Sequence, residues 1–325
     1  MQALSAKISL EYSVSILRAA GEPTRLRLLA LLSQYDLTVS DLVDILGQSQ
    51  PRISRHLKLL SEAGLLERYQ EGAWANFRMV DQGPGQDMLE VLIARLDRTD
   101  PQIERDFERL NTVREKRAAE AAEYFSSNAS DWDKIRSLYV DENQVEAAML
   151  AMIGNEKNSA MLDLGTGTGR VLELFSHLYD KGVGIDASRD MLSIARARLD
   201  KAGLSRVQTR HGDLYHLPTA PGSFDIVTIH QVLHYLQDPG GAIREAGKAL
   251  ARGGRLLVVD FAPHDMEFLR EDHAHMRMGF SEKQMQDWMK DAGLRSVTSQ
   301  HLEPDTSSTN KSQKITVGLW LGHKS

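Results

Sequence analysis

The stretch Met161-Leu162-Asp163-Leu164-Gly165-Thr166-Gly167-Thr168-Gly169-Arg170 decides how the larger part of this chain folds. Met161 to Leu164 is a short apolar run of the kind that forms a buried strand. It runs straight into a turn with glycine at every second position, and Val171 and Leu172 then open a helix. Glycine there permits a tight turn and lets a ligand lie against the backbone. A lone glycine-rich turn is a weak signal, and the spacing sharpens it. The dinucleotide fingerprint is G-x-G-x-x-G. Here the third glycine, Gly169, comes one residue early, Arg170 fills the expected place, and Asp163 precedes the loop.

Outward from the loop, strands alternate with helices. Runs at 160–164, 182–186, 206–211, 224–230 and 255–261 read as strands, with helical stretches between them. That alternation argues a parallel, doubly wound sheet. Segments 294–302 and 314–321 lack a long helix between them and read as a terminal antiparallel pair. Three further elements accompany the loop. Gly184-Ile185-Asp186 ends the second strand, 19 residues past Gly167, where a carboxylate can accept bonds from both hydroxyls of a ribose. His211-Gly212-Asp213-Leu214 follows the third strand; Asp213 can accept from an adenine amino group and Leu214 can pack on the ring. Phe224 to His230 forms the fourth strand, whose carboxyl end faces the rest of the ligand. Each element alone reads equally well as a turn or cap. All four in order argue a nucleoside site.

The first 98 residues follow a different pattern. Pro23-Thr24 enters a helix carrying Leu26, Leu28, Leu29, Leu31 and Leu32. Thr38-Val39-Ser40-Asp41 opens a second helix, stopped by Gly47. Ser49 caps a third, with Pro51 in its first turn and Gly64 at its end. Residues 65–69 and 75–79 read as a hairpin. On the third helix Ile53, Leu57 and Leu60 share a buried face, which leaves Gln50, Arg52, Ser54, Arg55, His56 and Lys58 outward, with no acid from Ser49 to Leu60. Such a helix can enter a major groove, Gln and Arg reaching base edges and Lys meeting phosphate. The hairpin would then be a wing, with Arg68, Trp74 and Arg78 near the backbone. A merely solvated basic helix is the competing reading. A charged helix from about 101 to 125 follows, with Ile103, Phe107 and Leu110 as a thin apolar stripe; a connector and a solvated spacer are both consistent with it.

Composition bounds these readings. The chain has 325 residues, enough for two domains, with 42% hydrophobic and 26% charged residues as in soluble globular proteins. No apolar run is long enough for a membrane span, and the N-terminus lacks a signal-peptide pattern, so the expected location is cytoplasmic. Cysteine is absent, which excludes disulfides, thiolate metal sites and cysteine nucleophiles. The net charge is −6, of which residues 1–95 carry −1 (10 Lys/Arg against 11 Asp/Glu), so a DNA-binding case rests on local clustering.

Two resemblances follow. Residues 126–325 resemble class I S-adenosylmethionine-dependent methyltransferases. They are similar to the quinone-ring branch through Asp186-Ala187-Ser188-Arg189-Asp190-Met191-Leu192 and Gly253-Gly254-Arg255-Leu256-Leu257-Val258-Val259-Asp260. The resemblance implies a seven-stranded sheet with its last strand antiparallel. It implies S-adenosylmethionine or S-adenosylhomocysteine held by Asp163, Gly165, Thr166, Gly167, Gly169, Asp186, Ala187, Met191, Gly212, Asp213, Leu214 and the backbone at His230. Tyr124-Phe125 and Trp132-Asp133-Lys134-Ile135-Arg136 resemble the family's lid segment. Residues 8–98 are similar to the ArsR/SmtB winged-helix repressors through Glu22-Pro23-Thr24-Arg25-Leu26-Arg27 and Gln48-Ser49-Gln50-Pro51-Arg52-Ile53-Ser54-Arg55-His56-Leu57-Lys58. That family implies a homodimer on palindromic operator DNA, paired through the first and last helices. Many members sense metals through cysteines; the matching stretch Leu37 to Leu42 has Thr38 and Ser40 instead, and 86–98 has no His, so metal sensing at those positions is not expected.

The expected organisation is an α-rich winged helix-turn-helix over 1–98, a linker helix over 99–125 and an α/β doubly wound seven-stranded methyltransferase fold over 126–325. The expected role is a transcriptional regulator, a repressor by type, that senses S-adenosylmethionine or S-adenosylhomocysteine. The alternative is an active methyltransferase on a small-molecule acceptor. A nucleic-acid methyltransferase is disfavoured, because Ile229-His230-Gln231-Val232-Leu233 stands where an Asn/Asp-Pro-Pro-aromatic motif would be. His230 and His234 lie near where an acceptor sits, and either could be a general base. Alignment alone can suffice for methyl transfer, so no catalytic residue is assigned. His264, His273 and His275 cluster with Asp260, Asp265 and Asp272, but the spacing matches no trusted metal pattern, and none is assigned.

Overall fold

A computed structural model describes residues 8–71, 74–80, 86–129, 132, 141–304 and 315–325. The chain divides into two compact units, 1–119 and 120–325.

The first unit is built from short capped helices. Helix α1 (Leu10–Ala20) precedes α2 (Pro23–Leu32), whose first turn is capped by the Glu22 carboxylate accepting from the Arg25 N–H. Helix α3 (Val39–Leu46) opens on a capping box between Thr38 and Asp41 and ends on Gly47 at φ 62°. Helix α4 (Gln50–Glu62) follows. The expected hairpin is present as β2 (Leu66–Glu71) and β3 (Trp74–Met79), and the two-residue β1 (Leu37–Thr38) adds a third strand, in the order β1-β3-β2. Two residues are too few to show a period, so β1 was not legible. Helix α5 (Gln86–Ala94) ends earlier than the expected 98, and α6 spans Pro101–Asn128.

The stripe on α6 is not solvated. Ile103 and Leu110 are buried, and Phe107 and Val113 pack against the same core as Leu28, Ile45, Ile53 and Leu57. Charged groups reinforce this contact. The buried Arg27 guanidinium donates twice to Asp106, at 2.5 and 2.6 Å, and Arg109 Nη1 donates to the Ile45 carbonyl at 3.0 Å.

In the second unit, α7 (Glu142–Ile153) leads into β4 (Asn158–Leu164), α8 (Arg170–Leu174), β5 (Tyr179–Asp186), α9 (Arg189–Lys201), β6 (Val207–His211), β7 (Phe224–His230), α10 (Pro239–Ala249) and β8 (Leu250–Phe261). After α11 (Phe268–His273) and α12 (Glu282–Asp291) come β9 (Leu294–Leu302) and β10 (Val317–Lys324). The seven-stranded order is β6-β5-β4-β7-β8-β10-β9. The first five strands are parallel, and β10 is antiparallel to both of its neighbours. Two apolar layers cover the sheet, one with α7 and α8, the other with α10 and α12. The strand order reverses between β4 and β7, and in open α/β sheets ligands bind outside the strand ends at that point.

Removing one partner of a buried ion pair leaves a charge without compensation. Asp106→Ala should therefore lower stability by about 3–5 kcal/mol in chemical denaturation of the full chain. Arg27→Met combined with Asp106→Leu should recover most of that loss.

Candidate functional site

Four strand ends build the site. The loop after β4 turns through Gly165, Gly167 and Gly169, at φ 68°, 51° and 80°. Only glycine enters that region without strain. The Gly165 and Thr166 N–H groups donate to the Ile185 carbonyl, which ties the loop to β5. Gly165 also faces the segment after β7: a Cβ there would meet Val232 Cγ2 at 2.4 Å. At Gly167 the nearest atom to such a Cβ is the Trp132 Nε1, at 3.7 Å, so the loop backbone meets open space bounded by an indole.

Asp186, half-buried at the end of β5, is the hub. Its Oδ2 accepts from the Gly167 N–H at 2.8 Å and its Oδ1 from the Ser188 N–H at 2.8 Å. The carboxylate retains acceptor capacity beyond these bonds, which suits a ribose hydroxyl. Burial raises this carboxyl above its ordinary range, and the Ser188, Gly167 and Ala187 N–H groups oppose that rise. Gly212, after β6, donates its N–H to the Asp186 carbonyl. Asp213 is exposed and accepts from the Tyr215 N–H at 3.0 Å; Leu214 beside it is buried. After β7, His230 is buried and Gln231 adopts φ 53°. A left-handed non-glycine residue at the switch point is a strained feature of the kind that gathers at functional sites.

Some of the expected contacts and their neighbours also have partners within the chain. Asp163 is 1% exposed; its Oδ2 accepts from Thr166 Oγ1 and its Oδ1 from Thr228 Oγ1, each at 2.7 Å. Asp163 and Thr166 therefore shape the loop from beneath. Met191 is buried in the core by the first turn of α9, while Ala187 is exposed. Arg170 is bonded twice to Glu146, at 2.7 Å each, and once to Glu173, at 3.1 Å. It fastens α8 to α7.

Tyr124, Phe125 and Trp132 were named in the expected lid, but their packing with Tyr235 beside the loop was not foreseen. Tyr124, Phe125, Trp132 and Tyr235 are each half-buried; Phe125 lies 4.7 Å from Tyr235 and 5.3 Å from Trp132, edge to face. Residues 133–136 of the expected lid lie outside the described residues. Next to Tyr235, His234 Nδ1 lies 2.7 Å from Asp260 Oδ1. Among the described residues no three His, Asp or Glu side chains converge as a metal site.

In the first unit, α4 buries Ile53, Leu57 and Leu60 and exposes Ser49, Gln50, Arg52, Ser54, Arg55 and Lys58. Ser49 holds the N-cap position, but its hydroxyl makes no cap bond. Two expected DNA contacts are corrected. His56 does not point outward: it is largely buried and turns toward the α2 cap, 3.6 Å from Glu22. Burial holds its pKa down; Glu22 opposes this, and Arg25, Arg52 and Arg55 add to it. Arg78 is committed within the wing, donating from Nε and Nη2 to Glu67 at 2.9 and 2.8 Å and lying over the Tyr69 ring. Arg68 remains exposed, and the Trp74 side chain lies outside the described residues.

Comparison with known proteins matches both units. Residues 22–68 fit the model of the arsR family of bacterial regulatory proteins, and residues 162–258 fit that of a methyltransferase domain. The chain is 34% identical over 106 residues to the uncharacterized methyltransferase YcgJ of Bacillus subtilis, covering 32% of this chain and 42% of that protein. It is 35% identical over 122 residues to the ubiquinone/menaquinone biosynthesis C-methyltransferase UbiE of a Shewanella species, covering 36% and 49%. The chain thus spans about half the length of the curated relatives it matches. A chain in the complex of the Haloferax volcanii Trm112 methyltransferase activator with a methyltransferase shares the fold, with a TM-score of 0.50 at 21% identity over 61% of this chain and 96% of that one. No helix among the described residues is long and apolar enough to cross a membrane. The methyltransferase fold implies S-adenosylmethionine, and the open backbone at Gly167 beside the Asp186 carboxylate fits its adenosine.

Two outcomes are expected. Gly165→Ala forces both a left-handed alanine and a clash with Val232, and should cost about 1–3 kcal/mol by thermal or chemical denaturation. Burial pushes His264 down to about 4 from an ordinary value of 6.5. The stabilisation from keeping it neutral is full above pH 6.5 and is lost as the pH falls from 6.5 toward 4. His264→Gln should flatten the acid loss of stability over that interval.

Proposed function

For a chain in which an ArsR-family segment precedes a methyltransferase domain, we propose a DNA-binding transcriptional regulator, a repressor by type, whose second unit binds S-adenosylmethionine or S-adenosylhomocysteine. One observation carries the reading. The same chain holds an exposed basic face on α4 and, beside the switch point of its sheet, an open glycine loop organised by the carboxylate that ends β5.

On α4, Gln50, Arg52 and Arg55 are the base-reading candidates, and Ser49, Ser54 and Lys58 the phosphate contacts. In the second unit Asp186 accepts the ribose hydroxyls, Asp213 and Leu214 take the adenine, and the backbone of Gly165, Gly167 and Gly169 lies against the remainder, with His230 at the methionine end. A homodimer paired through α1 and α5 accounts for the exposure of Leu10 (82%), Leu17 (56%) and Val91 (63%). Apolar side chains that open on two helices are economically covered by a second copy. The ligand regulates only by binding the DNA-competent and DNA-incompetent states unequally.

The second reading is methyl transfer to a small molecule, with the winged helix as its regulator. The buried His234–Asp260 pair next to the aromatic cluster favours it. A sensor of the nucleoside alone has no need of that pair.

DNA selected by the full chain from a randomised library serves as the operator for the test. Its affinity should change in saturating S-adenosylmethionine or S-adenosylhomocysteine; no change with either ligand rejects the regulator. Asp186→Ala removes acceptors worth about 1.5–3 kcal/mol and should weaken ligand binding at least about tenfold in calorimetry. Arg55→Ala should weaken operator binding by about 1–3 kcal/mol in anisotropy titrations and leave ligand affinity intact.

A further inference from the structure

We propose that the second unit also binds a small hydroxyaromatic compound beside the S-adenosyl ligand, and that Asp260 orients His234 to take its hydroxyl proton. This rests on the ligand reading given above. His234 stands on the turn Leu233–Tyr235, immediately past β7, and Asp260 lies near the end of β8. Both side chains are buried, and Asp260 Oδ1 also accepts from the Phe261 N–H at 2.8 Å. With Asp260 Oδ1 accepting from the Nδ1–H, the Nε2 lone pair is left as the ring's acceptor.

A pair that served only to join β7 to β8 would have satisfied surroundings. These surroundings are not. Among the described residues, Asp260 Oδ2, His275 Nδ1 and His264 Nε2 are buried without a hydrogen-bond partner. His275 is at least nine-tenths buried, its ring 4.2 Å from that of His234 and stacked on Phe261. Polar atoms gathered in this way call for a polar group from outside the chain. The aromatic surface says what carries that group. It begins at Trp132 over Gly167, continues through Phe125, and ends at Tyr235, whose ring lies 4.0 Å from His234. Planar rings pack on such surfaces edge to face or offset.

The groups around His234 suit a proton acceptor. Asp260 faces it from β8, His264 and His275 from the segments that follow, Tyr235 from its own turn, with Tyr124 of α6 and Arg270 of α11 beyond. Burial, reinforced by neighbouring histidines, keeps His264 and His275 uncharged at neutral pH, and burial holds the Tyr235 proton on. The phenol O–H bond breaks, its electron pair stays on oxygen, and the proton passes to His234 Nε2. Phenolate and imidazolium result, with Asp260 Oδ1 still accepting from the Nδ1–H. S-adenosylmethionine, when bound, supplies an electrophilic methyl group for that oxygen.

The test uses the full chain and para-nitrophenol, whose ionised form is coloured. Calorimetry with S-adenosylhomocysteine alone comes first, and absence of binding removes the ligand reading itself. With that ligand saturating, bound para-nitrophenol should ionise about one pH unit, tenfold, more readily than free. His234→Gln and Asp260→Asn should abolish the shift while S-adenosylhomocysteine affinity is unchanged. Phe125→Ala, a half-buried ring apart from the buried pair, should weaken para-nitrophenol about tenfold with the shift retained. Absence of saturable para-nitrophenol binding in the S-adenosylhomocysteine complex, or a shift that survives both His234→Gln and Asp260→Asn, overturns the proposal.

Discussion

A carboxylate enclosed by protein must be fully hydrogen-bonded, or it costs several kcal/mol. Asp163 meets that demand by drawing Thr166 from the loop and Thr228 from β7 onto its two oxygens. The bond to Thr228 crosses from β4 to β7, where the strand order reverses; the bond to Thr166 sets the path of the glycine loop. The path of the loop and its bond to Asp186 follow from that anchoring. With Thr166 held below, the Gly167 N–H reaches Asp186, and Asp186 in turn caps the start of the next segment at Ser188. Glycine's tolerance of positive φ makes the turn achievable, and the buried carboxylate selects it among the turns glycine allows.

The first unit uses the same device at another scale. The buried Arg27–Asp106 pair joins residues 79 positions apart and holds α6 against the core of the winged helix. Its bidentate geometry fixes orientation as well as proximity. The exposed face of α4 is a consequence of what lies beneath. Ile53, Leu57 and Leu60 fill the core, so the remaining positions present Gln50, Arg52, Arg55 and Lys58 to solvent. Position alone does not decide availability, as His56 and Arg78 illustrate. His56 lies on the flank of the helix that meets the α2 cap, and Arg78 has an acid directly across the hairpin, where cross-strand partners are close.

The parallel strands, the glycine loop, the carboxylate after β5 and the helix caps were legible because each depends on short-range rules: apolar runs, a period, a turn residue, a spacing. The two-residue β1 was not, because it exists only through pairing with β3. The aromatic cluster was not, because Phe125 and Tyr235 are 110 positions apart in the chain and meet only when the sheet is assembled. The histidines were visible as a group, but not the pairing of His234 with Asp260 that orders them.

The amino-acid sequence by itself determined the two-part organisation, the doubly wound sheet, the loop at Gly165–Gly169 and the buried stripe of α4, since local periodicity and backbone preference carry all of these. Only the tertiary structure decided that Asp163 supports the loop from beneath, that Asp186 links loop to helix, and that His56 and Arg78 are already engaged. It also decided that His234 rests on Asp260 beside an aromatic surface. Those outcomes turn on which side chains from distant segments share a buried volume, and a buried polar group takes its role from the partners it finds there.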